Sequence, residues 1–422
     1  MDKFIEKLRL AIGDKALRGR LIATAILLVV SRVLAIIPVP GVDTSRLASL
    51  LSGSDFVSLL NLFSGGGLST FSIVMLGVGP YITASIIMQL MTVMSPKIKA
   101  LYHEEGEAGR KRFTNYSRLL TVPLAMIQGF AVIKYLQGQN ALPSFELSGL
   151  LIVLVVAVAG SILLMWLGEL ISEFGIGNGI SLIIFAGIVT QLPASARELL
   201  LSYDPSQIPI YLAGLAVALV VTAGVVFITE AERPISITYA KQMRGGRTFG
   251  GVSTYLPLRI NQAGVIPIIF ALSILLFPQM FLEFLARSSY AVASYAEVAL
   301  RIVTNNWFYS AAYFFLVVFF TYFYTAVTFD PNTISTNLQK SGAFISGVRP
   351  GPPTSEYISS VLSRLTLAGA LFLGIIAILP LILRSITGIQ ALAIGGTALL
   401  IVVSVVIDLV KRFDAQLSAK EY

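Results

Sequence analysis

The sequence predicts an all-α polytopic membrane protein: ten transmembrane helices in two inverted halves of five, with a re-entrant plug helix. Three observations carry this prediction. Only 12% of the 422 residues are charged and 56% are hydrophobic, whereas a soluble domain carries about 25% charged residues to cover its exterior. Ten apolar runs approach the roughly 20 residues needed to cross about 30 Å of hydrocarbon. The lysines and arginines, finally, divide unevenly between alternate connecting segments.

In order, the runs are 21–38, 74–94, 118–136, 148–168, 179–193, 209–229, 263–281, 308–328, 364–383 and 389–410. Ahead of the first, residues 1–20 mix six Lys/Arg with three acidic residues and place apolar side chains at helical spacing. They read as an amphipathic helix lying on the membrane surface, and no small-residue cleavage site follows the apolar run before Pro38. If residues 1–20 are placed on the inside, the inside segments hold 23 Lys/Arg and the outside segments six, with Arg32 left within the first span. By the positive-inside rule both termini, including the tail 411–422, are expected in the cytoplasm. The same bias accounts for the net charge of +8 without a nucleic-acid partner.

The runs fall into an N-terminal half (21–193) and a C-terminal half (209–410) of five spans each. An odd number per half makes the halves point in opposite directions, as in inverted-repeat proteins with a central path. Residues 57–72 (VSLLNLFSGGGLSTFS) are too short and too broken by Gly65, Gly66 and Gly67 to be a lipid-facing span. Broken backbone at membrane depth must line a cavity or be buried in protein. The fifth span, 179–193, is short and interrupted by Gly187, so the same argument applies to it. Two long inside loops, 230–262 and 329–363, are polar, glycine-rich and basic at their tips: Lys241, Arg244 and Arg247 in one, Lys340 and Arg349 in the other. Such tips suit an acidic partner such as ribosomal RNA, although positive-inside bias explains the same charges.

No catalytic set is legible. There is no cysteine, the single histidine (His103) lies in a charged loop, and Gly175, Gly177 and Gly179 follow a membrane helix where a nucleotide fold would need a strand. Glu169, Glu230 and Asp408 sit at the inside ends of spans. Arg32 alone falls well within a span, as a functional charge or as a side chain buried against helices or snorkelling. Such scarce buried charge favours a passive conduit over an ion-coupled, inverted-repeat secondary transporter of a small solute, the alternative reading.

Eight strings then resemble the SecY family across essentially the whole chain. They are PVPGVD (Pro38–Asp43), LFSGGGLSTFSIVMLGVGPYITASIIMQL (Leu62–Leu90), EEGEAGRKRFTNYSR (Glu104–Arg118), GIGNGISLIIFAGIV (Gly175–Val189), ERPISITYAKQ (Glu232–Gln242), STYLPLRINQAGVIPIIFA (Ser253–Ala271), SGAFISGVRPGPPTSEYI (Ser341–Ile358) and GGTALLIVVSVVID (Gly395–Asp408). The resemblance implies a channel in the bacterial inner membrane that passes unfolded polypeptides across it or releases them sideways into lipid, and no enzyme activity or cofactor. It implies a pore ring of Val78, Ile82, Ile180, Ile184, Ile269 and Ile401, of which Val78/Ile82 and Ile180/Ile184 share a helix face by their spacing. The plug would be the segment around Asn61, Leu62, Phe63, Ser64, Gly65, Gly66, Gly67 and Leu68. A lateral gate would open between spans 2–3 and 7–8. Lys241, Arg244, Arg247 and Arg349 would dock the SecA motor ATPase or the ribosome, with Gly246 standing where the family often has a second basic residue. SecE and SecG would be partner subunits, and signal sequences, nascent polypeptides and membrane lipid the other partners.

Overall fold

The computed structural model describes residues 13–39, 60–61, 64–139, 141–143, 145–201, 208–239, 242–244, 247–249, 253–264, 266–286, 292–387 and 390–421. Within these, each of the ten apolar runs falls on a helix. The first is α1 (Lys15–Ile36), begun by Asp14, whose carboxylate accepts from the Ala16 amide at 2.9 Å. This moves the predicted break at residue 20: surface stretch and span are one helix from Lys15 onward, because Asp14 supplies the cap and nothing at 20 does. Residues 1–12 lie outside the described residues.

Next come α2 (Gly79–Met94), opened by Pro80 in its first turn, and the short α3 (Pro96–His103). Then follow α4 (Gly106–Gly138), α5 (Leu147–Phe174) and α6 (Gly179–Leu201). The apolar part of the fifth span is short, as expected, but the helix itself accommodates Pro193 and runs eight residues beyond the expected end. The second half contains α7 (Ile208–Glu230), α8 (Ile266–Ala286), α9 (Val292–Val303), α10 (Asn306–Thr328), α11 (Pro331–Lys340), α12 (Pro352–Thr387) and α13 (Gln390–Glu421). The last helix carries the predicted tail as a continuation. Seven of the helices are long and apolar enough to cross a membrane among the described residues, and Gly79–Met94 and Gly179–Pro193 are shorter apolar helices.

Each half packs mainly on itself. In the first, α4 packs against α2 and α5, and α1 against α5 and α6; in the second, α10 packs against α8 and α12, and α13 against α7 and α12. The halves meet along two seams, α8 and α10 on α2 and α4 at one, α6 on α13 at the other.

The helical bundle carries, in its two long loops, strands that the sequence reading did not expect. These are β1 (Glu232–Tyr239), β2 (Gln242–Arg244), β3 (Arg247–Phe249), β4 (Ser253–Arg259) and β5 (Ala343–Ile345). They form one antiparallel sheet in the order β4-β1-β5 and a separate β2-β3 hairpin. β1 alternates as strands do, sending Ile235 and Ile237 inward onto Leu258, Ala343, Ile345 and Ile358. Since β5 comes from the second loop, pairing Ile237 with Ile345 joins both loops into one small body with its own apolar core.

Ion pairs tie helix ends together around this body. Arg118 on α4 meets Glu169 on α5 at 2.7 Å, and Lys411 on α13 meets Glu230 of α7 at 2.9 Å. Asp408 pairs with Arg412 one turn on, at 2.8 Å. All three carboxylates singled out at span ends are thus used by neighbouring cations, although such exposed pairs contribute roughly 1 kcal/mol or less.

The turns between Ser72 and Val78 rest on α5. Ser161 donates to the Gly77 carbonyl at 2.9 Å, and Gly160 lies directly against the Ile73 carbonyl, leaving no room for a β-carbon. Replacing Gly160 with Val is expected to cost about 3 kcal/mol or more by forcing backbone apart, read as a lower unfolding temperature of purified protein in detergent. An unchanged temperature would contradict this contact.

Candidate channel waist and plug segment

After α1 the chain turns at Pro38, which forms an antiparallel bridge with Ser72. The flanking bonds run from the Val39 amide to the Phe71 carbonyl (2.9 Å) and from the Ile73 amide to the Ile37 carbonyl (3.0 Å). The predicted plug is therefore stitched at its far end to the exit of the first span. Between Ser64 and Val78 the backbone forms successive turns, so among the described residues the expected plug helix is replaced by a more compact knot.

Side chains close that knot. The Leu68 amide donates to Ser64 Oγ at 3.0 Å and the Ser69 amide to Asn61 Oδ1 at 3.0 Å; Ser69 Oγ donates to the Gly66 carbonyl at 2.6 Å and Thr70 Oγ1 to the Ala35 carbonyl at 2.8 Å. Satisfying backbone locally is what allows a non-helical stretch at membrane depth. The glycines are part of this fixed geometry. Gly65 and Gly66 adopt φ of +64° and +88°, which L-residues with a β-carbon rarely take. Gly187 of α6 lies against the Gly65 backbone with no space for a side chain on Gly187, while a β-carbon on Gly65 would press on the Arg32 guanidinium. Gly187 thus marks a backbone-to-backbone contact and does not interrupt α6.

Arg32 reaches into this contact. Its Nη1 donates to the Gly65 carbonyl at 2.5 Å and its Nη2 to the Ile183 carbonyl on α6 at 3.4 Å. An arginine at the centre of a membrane helix costs about 2.5–3.5 kcal/mol by insertion scales. Hydrogen bonds from a charged donor contribute roughly 1.5–3 kcal/mol each, enough to offset that cost. The two readings of Arg32 left open by the sequence thus meet in one residue, half-buried against helices and holding the broken segment.

Five of the six predicted ring residues, Val78, Ile82, Ile184, Ile269 and Ile401, are buried in one continuous apolar cluster drawn from α2, α6, α8, α13 and the turn before α2. Leu68 and Phe71 of the broken segment belong to the same cluster, 1% and 0% exposed. Ile180 is half-buried at the cluster edge, and its side chain fills the space over Gly168 of α5. Asn61 and Ser64 are also buried, while Leu62 and Phe63 lie outside the described residues.

Where α2, α4 and α8 meet, at the predicted lateral gate, a cavity of about 40 Å³ is bordered by Leu60 and Leu68 and by Thr83, Gln128 and Ser273. Gln128 Nε2 donates to Thr83 Oγ1 at 3.3 Å. These polar groups escaped the sequence reading because Ser, Thr and Gln are common in spans and nothing in their spacing marks them.

Of the docking candidates, Lys241 and the neighbouring Gly246 lie outside the described residues. The β2-β3 register pairs Arg244 with Arg247. Arg349 is exposed four residues beyond β5, so the sheet brings both loops to one end of the molecule.

This arrangement defines a class: a helical membrane protein with one shared apolar core and a glycine-rich, non-helical segment buried in it. Comparison with known proteins agrees. The family model SecY matches residues 72–410. The protein translocase subunit SecY of Mycobacterium tuberculosis H37Rv is 39% identical over 100% of this chain and 99% of its own length. That of Corynebacterium glutamicum is 40% identical, covering 98% of each. Among solved structures, one described as a protein-conducting channel superimposes with a TM-score of 0.62 at 20% identity, over 94% of this chain and 91% of the other. The canine Sec61 of a ribosome–channel complex gives 0.60 at 20% identity, with the same coverage. The chain belongs to the SecY family. It is a protein-conducting channel and not an enzyme, which sets aside the solute-transporter alternative.

The Pro38–Ser72 bridge lacks mutual hydrogen bonds, the geometry that brings antiparallel partners within about 4.5 Å. In a chain with no cysteine of its own, the double replacement Pro38→Cys and Ser72→Cys should oxidise to an internal disulfide, detected as a faster-migrating band without reductant. Failure to cross-link would contradict the stitching of the segment to α1.

Proposed function

We propose that this chain is the central pore of a bacterial protein translocase, with Val78, Ile82, Ile180, Ile184, Ile269 and Ile401 as its waist and the segment around residues 57–72 as its plug. The observation that carries this is the burial of Leu68 and Phe71 in the same apolar cluster as five of the waist residues. An apolar constriction hinders ions, which must shed hydration to enter, and makes few adhesive contacts with a sliding chain. Withdrawal of the segment and parting of α2 and α4 from α8 and α10 would open a path across the membrane and a side exit for signal sequences and membrane segments.

The chain lies in this reading in the bacterial inner membrane, with its two halves inverted and both termini cytoplasmic. The joined loops are then the cytoplasmic docking body, where Arg244, Arg247 and Arg349, with Lys241, receive SecA or the ribosome. SecE clamps the halves from outside and SecG is a further subunit; the drive comes from the bound motor or ribosome, and nascent polypeptides and lipid are what the channel handles.

Two experiments test this. A photoreactive residue at Ile82 or Ile401 should cross-link a secretory precursor stalled in transit; absence of cross-links at both positions contradicts the pore assignment. Charge reversal at Arg349 should lower SecA-driven translocation at least tenfold while leaving the detergent unfolding temperature unchanged, and normal transport by that variant rejects the docking role.

A further inference from the structure

We propose that Arg32 is the latch that keeps the broken segment in its resting place, and that opening requires its guanidinium to exchange the Gly65 carbonyl for another acceptor. This rests on the reading of that segment as the plug. Three features converge on it. Arg32 is the one charged residue well inside a predicted span, and among the described residues its hydrogen-bond acceptors are carbonyl and hydroxyl oxygens, with no carboxylate. Those oxygens belong to different elements: Gly65 is in the broken segment and Ile183 in α6, so the planar fork of one side chain on α1 bridges both. Around the same point the segment is pressed onto α6, Gly65 against Gly187, with the Gln191 side-chain amide facing Gly66.

Packing at this point is sterically tight but small in area, since glycine meets glycine and little apolar surface is buried there. The guanidinium supplies the directional hold. Its charge also makes the hold conditional: moving the segment away leaves a desolvated cation and a bare carbonyl, so release is unfavourable until a new acceptor arrives. An entering polypeptide brings such acceptors in its own backbone carbonyls, together with water. Arg32 would then pass from Gly65 to the translocating chain, coupling plug release to the presence of a substrate. A lysine keeps the charge but, as a compact point donor, does not reproduce the two-pronged span between Gly65 and Ile183.

The test compares resting chloride flux across vesicles holding the complete translocon. Four variants are set beside the native protein: Arg32→Met, Arg32→Lys, Gly187→Ala and deletion of residues 65–70. Gly187→Ala attacks the contact from α6 and leaves Arg32 in place, so it stands even if Arg32→Met folds poorly. Losing one charge-assisted bond shifts a two-state equilibrium about tenfold, so Arg32→Met and Gly187→Ala should raise resting flux roughly tenfold or more, with Arg32→Lys between them and native. The latch is overturned if the deletion leaks while Arg32→Met and Gly187→Ala stay as tight as native. If the deletion itself leaves the flux unchanged, the plug reading fails, and the latch with it.

Discussion

Backbone amides and carbonyls cannot stay unpaired in hydrocarbon, and the stretch from Ser64 to Val78 has left the helix that would pair them. The remainder of the architecture answers that problem. Ser64, Asn61 and Ser69 turn their side chains back onto the local backbone, Thr70 takes the Ala35 carbonyl of α1, Ser161 of α5 takes the Gly77 carbonyl, and Arg32 takes that of Gly65. The segment is thus finished by partners in the first half, while its apolar side chains join the shared core. Its location therefore marks the interior of the molecule more surely than any single apolar residue does.

Enclosure also explains how the fold produces its function. The segment is held by hydrogen bonds to α1 and α5 and by the Gly65–Gly187 backbone contact with α6, all in the first half, while its apolar residues Leu68 and Phe71 join a cluster that takes in Ile269 and Ile401 from the second. Apolar contact is non-directional, so one half can slide from the other without breaking a specific bond. The polar stitching stays with the first half. A structure built in this manner separates along the seams where α8 and α10 face α2 and α4, and where α6 faces α13.

Much of this was legible in the sequence because lipid imposes so narrow a grammar. Every predicted span falls on a helix, and the broken segment was located by its triple glycine. What escaped was whatever depends on partners distant along the chain. β5 is only three residues long and pairs with a strand about a hundred positions earlier, so neither loop announces a sheet alone. α6 reads as short because Pro193 and the polar residues after it end the apolar run without ending the helix. α9 lies in a connection already counted as outside, where its mixed residues gave no spanning signal. Arg32 was visible as an anomaly, but its meaning lies in Gly65 and Ile183, 33 and 151 residues away. The family resemblance named the waist residues; their spacing alone would have shown only that two pairs share a helix face.

The account stands on the segment moving out of an apolar waist when a polypeptide enters. Spin labels at Ser69 and at Val406 of α13, read by electron–electron double resonance in the reconstituted translocon, measure that movement directly. The account predicts a single short distance at rest and a longer one once a precursor is stalled in transit. The same distance in both states would contradict it.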